Sequence, residues 1–255
     1  MRISRNFFRR LARRGPLLIP GALFLLGCGG PDAPPTCTPP AGTTGSPATI
    51  GEVVDMANAM LAERQQTIDL PCFVQALQRP LAVLPVLSPF SLQPGDGPAN
   101  PRVFLWTGET NSLAMSVAFQ GQGRDRLELA EYTTPTRSIK AEIGFPVETT
   151  IARSEPYERI LSHRTDISTI CGGCHADEQP APQVTDGPAF ESVVFQPLRK
   201  EEVQVPYLED QMRACNSNVE PDRCRLLRAL FGDGAVDVRH FAPDARTIYG
   251  GVGNN

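Results

Sequence analysis

Cys171-Gly172-Gly173-Cys174-His175 is the stretch of this chain whose residue types and spacing could do chemistry. Cysteines three apart on one helical turn face the same way, so both thiols can reach the two vinyl groups on one edge of a porphyrin. The histidine that follows swings its imidazole under the ring centre, where a neutral nitrogen can bind iron. Gly172 and Gly173 add no bulk between the two thioethers. With 7 Cys and 3 His in 255 positions, random order gives this pentapeptide only roughly 0.002 times per chain, so coincidence accounts for it poorly. Two plainer readings use the same residues, a CxxC disulfide or redox pair and half of a zinc site. Zinc would need further ligands, and the chain has no second CxxC and no HxxxH.

The N-terminus bears on which reading holds. Arg2, Arg5, Arg9, Arg10, Arg13 and Arg14 precede any acidic residue, and an apolar run follows from Leu17 to Leu26. That run is too short to cross a bilayer as a stable helix and has the form of a signal-peptide core. It ends in Leu25-Leu26-Gly27-Cys28, which resembles the lipobox of bacterial lipoproteins. The resemblance implies a signal peptide over residues 1–27, removal of that segment, and lipidation of Cys28 as the new first residue. It further implies a place in the bacterial cell envelope, held on a membrane by acyl chains. Gly29 and Gly30, with no aspartate after the cysteine, resemble lipoproteins sent to the outer membrane, on its periplasmic or surface face. Arg9-Arg10 is flanked by residues that match a twin-arginine signal poorly, so the general export route is expected.

Removing residues 1–27 changes the electrostatics. The precursor carries −4; without its six N-terminal arginines, 18 basic residues face 28 acidic ones, a net charge of −10. That balance argues against nucleic-acid binding and against electrostatic adhesion to anionic lipid. The remaining chain is long enough to bury a sizeable core. Cysteine parity is informative as well. With Cys28 lipidated and Cys171 and Cys174 otherwise engaged, an early pair (Cys37, Cys72) and a late pair (Cys215, Cys224) remain. Nearness in sequence favours disulfides 37–72 and 215–224, in keeping with an oxidising compartment.

The elements that must position the motif follow in chain order. Residues 28–48 are rich in Pro, Gly, Ser and Thr and read as an extended tether. Residues 49–71 hold an N-terminal helix: Thr49-Ile50-Gly51-Glu52 has capping-box form, and Ile50, Val53, Val54, Ala57 and Leu61 share one face, with Met56 and Met60 beside it. Residues 72–152 read as a small antiparallel β domain, a sandwich or open barrel. Its expected strands are Arg102–Thr107, Leu113–Phe119, Arg126–Tyr132 and Arg137–Phe145, with an earlier one in Leu81–Leu87 whose prolines predict an edge. In the last run Ile139, Ala141, Ile143 and Phe145 oppose Ser138, Lys140 and Glu142. Trp106, the only tryptophan, reads as a core or rim anchor. Residues 153–232 hold short helices at Glu155–Leu161, Pro206–Cys215 and Pro221–Phe231, the last stopped by Gly232. Residues 233–255 read as a loop-like tail. The fold class expected is therefore α+β, a β domain followed by a short-helix, loop-rich region.

That last region, over roughly residues 155–231, resembles the class I cytochromes c. Gly187-Pro188 lies 12 to 13 residues beyond His175, where a Gly-Pro of that family packs on the haem and its proline carbonyl accepts a hydrogen bond from the proximal imidazole. The resemblance implies covalent haem c on Cys171 and Cys174, iron on His175, and for the carbonyl of Pro188 the role of accepting the imidazole's hydrogen bond. For a sixth ligand Met212, 37 residues after His175 on an expected helix, is a candidate, and it reads equally as a core methionine. His240 and His163 compete, and an open position would permit ligand binding. The β segment and the cysteine-clamped helices depart from the family. The chain looks also like envelope lipoproteins that join a β segment to a terminal CxxCH region, a likeness that implies no activity.

No GxSxG, HExxH or phosphate-cradling glycine loop occurs. The expectation is a membrane-anchored cytochrome-like lipoprotein that binds haem and passes single electrons to a redox partner, or senses redox state or a gas. The alternative is a surface-binding or structural lipoprotein in which CxxC is a disulfide or part of a zinc site.

Overall fold

A computed structural model describes residues 37–251 apart from Gln65, Pro89, Phe90 and Ala176. The expected signal peptide, Cys28 and the first part of the expected tether lie outside the described residues. Among the described residues no helix is long and apolar enough to cross a membrane.

The first helix, α1 (Ile50–Arg64), starts where its sequence signature puts it. The Thr49 hydroxyl accepts the Glu52 amide at 3.2 Å, and the Glu52 carboxylate reaches back to the amide of Ala48 at 2.7 Å. These bonds satisfy orphan donors that a helix start would leave exposed. A short α2 (Leu70–Gln75) follows, capped by Asp69. Five strands come next: β1 (Leu81–Val86), β2 (Arg102–Thr107), β3 (Leu113–Ala118), β4 (Arg126–Thr134) and β5 (Arg137–Gly144). They coincide closely with the runs of alternating residues in the sequence. After a single helical turn, α3 (Glu155–Glu158), come β6 (Gln179–Pro180) and β7 (Phe190–Val193), then α4 (Val205–Ala214), α5 (Pro221–Phe231) and β8 (Val236–Val238).

All eight strands join one mixed sheet in the order β6-β7-β5-β4-β3-β2-β1-β8, antiparallel except for the β1–β8 pair. The class is α+β, with short helices following the β segment. The sheet draws β6, β7 and β8 from residues that read as loop. Runs of two to four residues are too short to show a period of two. β1 is not the edge that its prolines predicted. β8 pairs with Leu81–Val83, and Pro85 lies beyond that pairing, so its missing N–H costs no ladder bond there.

Because side chains alternate along a strand, the sheet has two distinct faces. On one, Leu105, Met115, Leu127, Leu129, Ile139 and Ile143 pack with Val53, Met56 and Met60 of α1, Phe73 of α2 and Leu227 of α5. Disulfides Cys37–Cys72 and Cys215–Cys224 form as parity predicted, the first tying the chain entry to α2 and the second joining α4 to α5. The second face carries the site. It holds a smaller cluster built on Leu84, Val86, Trp106, Ala114, Val194 and Phe241. Ser138, Lys140 and Glu142 project from it, 0 %, 8 % and 2 % exposed. The alternation in β5 is as expected, but its polar side does not face solvent.

Candidate functional site

The second face forms the floor of a cleft with about 1270 Å³ of empty space, its open mouth included. Two rows of side chains cross the strands there. One runs Lys140, Ala130, Ala114, Trp106 and the other Glu142, Glu128, Ser116, Phe104. Ala130, Ala114 and Ser116 in the middle of these rows leave room above the sheet. Trp106 sits below the lining, 4 % exposed and edge-on to Phe241 at 5.1 Å, so it is an anchor of the floor.

Cys171, Cys174 and His175 all line this cleft. The segment that carries them is fastened at its entry, where the Ile170 amide donates to the Ile160 carbonyl at 2.8 Å. Thr169 then caps a 3-10 turn, Ile170–Gly173, and the His175 amide donates to the Cys171 carbonyl at 2.8 Å. The cysteines therefore lie on one tight turn. Glu178 fixes that turn from behind: its carboxylate accepts the amides of Ser168 and Thr169, at 2.9 and 3.2 Å, and the Thr169 hydroxyl. A Cβ on Gly172 would collide with this carboxylate, whereas one on Gly173 would meet open space. A side chain at 172 would have to push the Glu178 carboxylate off its three donors, a constraint the motif alone does not contain.

The imidazole is placed with equal definition. Nδ1 of His175 lies 2.7 Å from the carbonyl oxygen of Val193 in β7, and its ring stacks on Phe195 at 5.4 Å. A carbonyl can only accept, so Nδ1 carries the proton and Nε2 keeps a bare lone pair. Burial, helped by the nearby Lys140 charge, pushes His175 down to about 3, so the ring is neutral at physiological pH. Burial likewise pushes the Cys171 thiol up to about 11, with Glu128 adding to the effect. The structure holds Cys171 and Cys174 as free cysteines, the second exposed.

Pro188, Met212, His163 and His240, proposed from the sequence as partners of the motif, do not line the cleft. Pro188 is exposed, and the carbonyl bonded to the imidazole is that of Val193. β7 pairs with β5 and so brings its own backbone to the ring. Met212, on α4, packs against the helix-side core, with its sulfur close to Gly232. His163 is exposed, and His240 Nδ1 lies 3.2 Å from Glu202. Among the described residues no group of three or more His, Cys, Asp and Glu side chains converges as a metal site, which leaves the zinc reading without a ligand set.

Several cleft residues had no signature of their own. Arg102 donates to Ser91 at 2.6 Å and Ser116 at 2.8 Å and pairs with Glu128. Glu142 lies between Arg126 at 3.0 Å and Arg159 at 3.5 Å. Lys140 donates to the Ser138 hydroxyl at 2.6 Å. In the sequence Lys140 is visible only as one of the polar residues that alternate with apolar ones in β5. What it faces depends on segments about 30 to 100 residues away.

No protein-family model matches this chain, and no curated protein or solved structure is detectably similar to it.

The placement of His175 makes folding stability depend on pH. Unfolded, its imidazole takes a proton near the ordinary value of 6.5; folded, only near 3. Between these values the unfolded state binds more protons. Stability is therefore complete above the upper value and falls as pH drops through the window, by about 1.4 kcal/mol per pH unit. His175→Gln, which can still donate to Val193, is expected to flatten this slope. Urea midpoints measured from pH 7 to pH 4 check it; equal slopes in both proteins would show that the ring is not held neutral.

Proposed function

We propose that the cleft holds a haem bonded through Cys171 and Cys174, with His175 on its iron, and that the protein passes single electrons in a bacterial envelope. The observation that carries this reading is the neutral His175 ring. It is oriented by a backbone carbonyl and left with a free Nε2, on the same wall of one cleft as two free cysteines. A metal-ligating histidine usually has its other nitrogen fixed in this way. The donor set fits: two thiols for the vinyl groups and one imidazole for the iron.

The cleft's shape and rim support the same reading. Phe195 and Phe241 give it apolar walls above the Phe104 floor. Leu92, Ile170, Ile248 and Tyr249 ring the mouth at 51 %, 38 %, 44 % and 58 % exposure. Exposed apolar groups gathered at one opening suit the edge of a large flat molecule. When bound, the haem would supply one-electron chemistry. The chain's own contributions are to hold the imidazole neutral through Val193, fix the thiol-bearing turn through Glu178, and exclude water with the aromatic walls. The proposed lipid anchor at Cys28 would keep this unit at a membrane, with a partner protein as electron donor or acceptor.

A second reading, redox or gas sensing, is favoured by the placement of Met212, His163 and His240 away from the cleft. An iron lacking a strong sixth ligand can bind small molecules.

The test is a visible spectrum after export alongside a haem-maturation system. A Soret band that survives acid-acetone extraction is expected, and Cys171→Ser should lose the covalent fraction. A colourless wild-type protein, or a variant with its band unchanged, would end the proposal.

A further inference from the structure

Lys140 is a buried charge of the cleft that has no ion pair among the described residues. The Arg102–Glu128 pair is neutral, Glu142 lies between Arg126 and Arg159, and Arg137 pairs with Glu191. Lys140 has no ion pair among the described residues and donates only to the Ser138 hydroxyl. It projects from the central region of the sheet, 8 % exposed, into the cleft that Cys171 and His175 also line. Burying an ammonium without a counter-ion is costly, and natural cores avoid it unless the charge is used. The two motif side chains lie close enough to feel it. Lys140 helps to push His175 down and opposes the burial that pushes Cys171 up. Burial pulls Lys140 itself down to about 8, with Cys171 the largest opposing influence.

We propose that Lys140 sets the redox poise of the cleft, its unpaired ammonium favouring the form of the bound group that carries the extra electron. This rests on the haem reading above. Reduction of the iron adds one negative charge beside His175 and makes or breaks no bond. A fixed cation in a poorly hydrated site therefore stabilises the reduced state whichever side of the ring it occupies. The same ammonium is a burden on the haem-free fold, so one residue should show opposite effects in the two states.

Lys140→Met has similar length and no charge. In the haem-loaded full chain, spectroelectrochemical titration at pH 7 should show the reduced-to-oxidised ratio at fixed applied potential falling about tenfold, equivalent to 59 mV for one electron. In the haem-free chain the same variant should raise the thermal midpoint. Lys140→Arg, which keeps the charge, should leave the ratio near wild type. Lys140→Gln serves as the neutral variant if the methionine protein fails to fold. A loaded neutral variant with an unchanged ratio overturns the proposal while the haem reading stands. So does a thermal midpoint that falls in the haem-free form of both neutral variants. A wild-type chain that takes up no haem overturns both.

Discussion

Replacing Cys37 and Cys72 together by alanine is expected to lower the stability of the folded chain by about 4 kcal/mol. The bond closes a span of 35 residues. Cutting it returns to the unfolded chain the freedom that the crosslink removes, and that loss grows with the logarithm of loop length. Both cysteines are buried, and the closed span contains the whole of α1 and the start of α2. Breaking the late bond, with a span of 9, should cost less, about 2.5 kcal/mol, by the same reasoning. Urea unfolding under non-reducing conditions measures both. An early-pair variant no less stable than the late-pair one would mean that loop closure does not govern the effect. Since α1 packs beneath the sheet and the cleft lies above it, the early bond should act on stability without entering the site directly.

The second large effect is at the motif. Gly172→Ala is expected to cost about 3 kcal/mol, whereas Gly173→Ala should stay within about 0.5 kcal/mol of wild type. A methyl group at position 172 must displace the Glu178 carboxylate. That carboxylate accepts three donors from Ser168 and Thr169, and Thr169 is 1 % exposed. Freeing buried donors adds a desolvation penalty to the steric one. The neighbouring glycine has no atom near its absent Cβ and no positive φ to lose. Chemical unfolding of the two single variants checks the contrast. Equal stabilities would show that Glu178 can move aside freely, and that the turn is not fixed from behind. If the haem reading holds, the alanine at 172 should also reduce the yield of covalently coloured protein.

What could be read along the chain was whatever depends on near neighbours. The five long strands, the capped start of α1, the ends of α5 and both disulfides follow from period, caps and cysteine parity, each a property of a few consecutive residues or of close pairs. The CxxCH turn belongs to this group, since its spacing is local. Tertiary structure decided the rest, because those features join distant segments. The polar side of β5 faces a cleft and not water because the Cys171–His175 segment and the loops around Phe195 and Phe241 cover it. The imidazole takes its carbonyl from Val193 and not Pro188 because β7 docks on β5. Met212 falls on the helix-side core because α4 is clamped to α5 by a disulfide. A charge such as Lys140 looks alike in sequence whether it ends in solvent or against a buried imidazole. Only the path of the chain determines how much water is left around it.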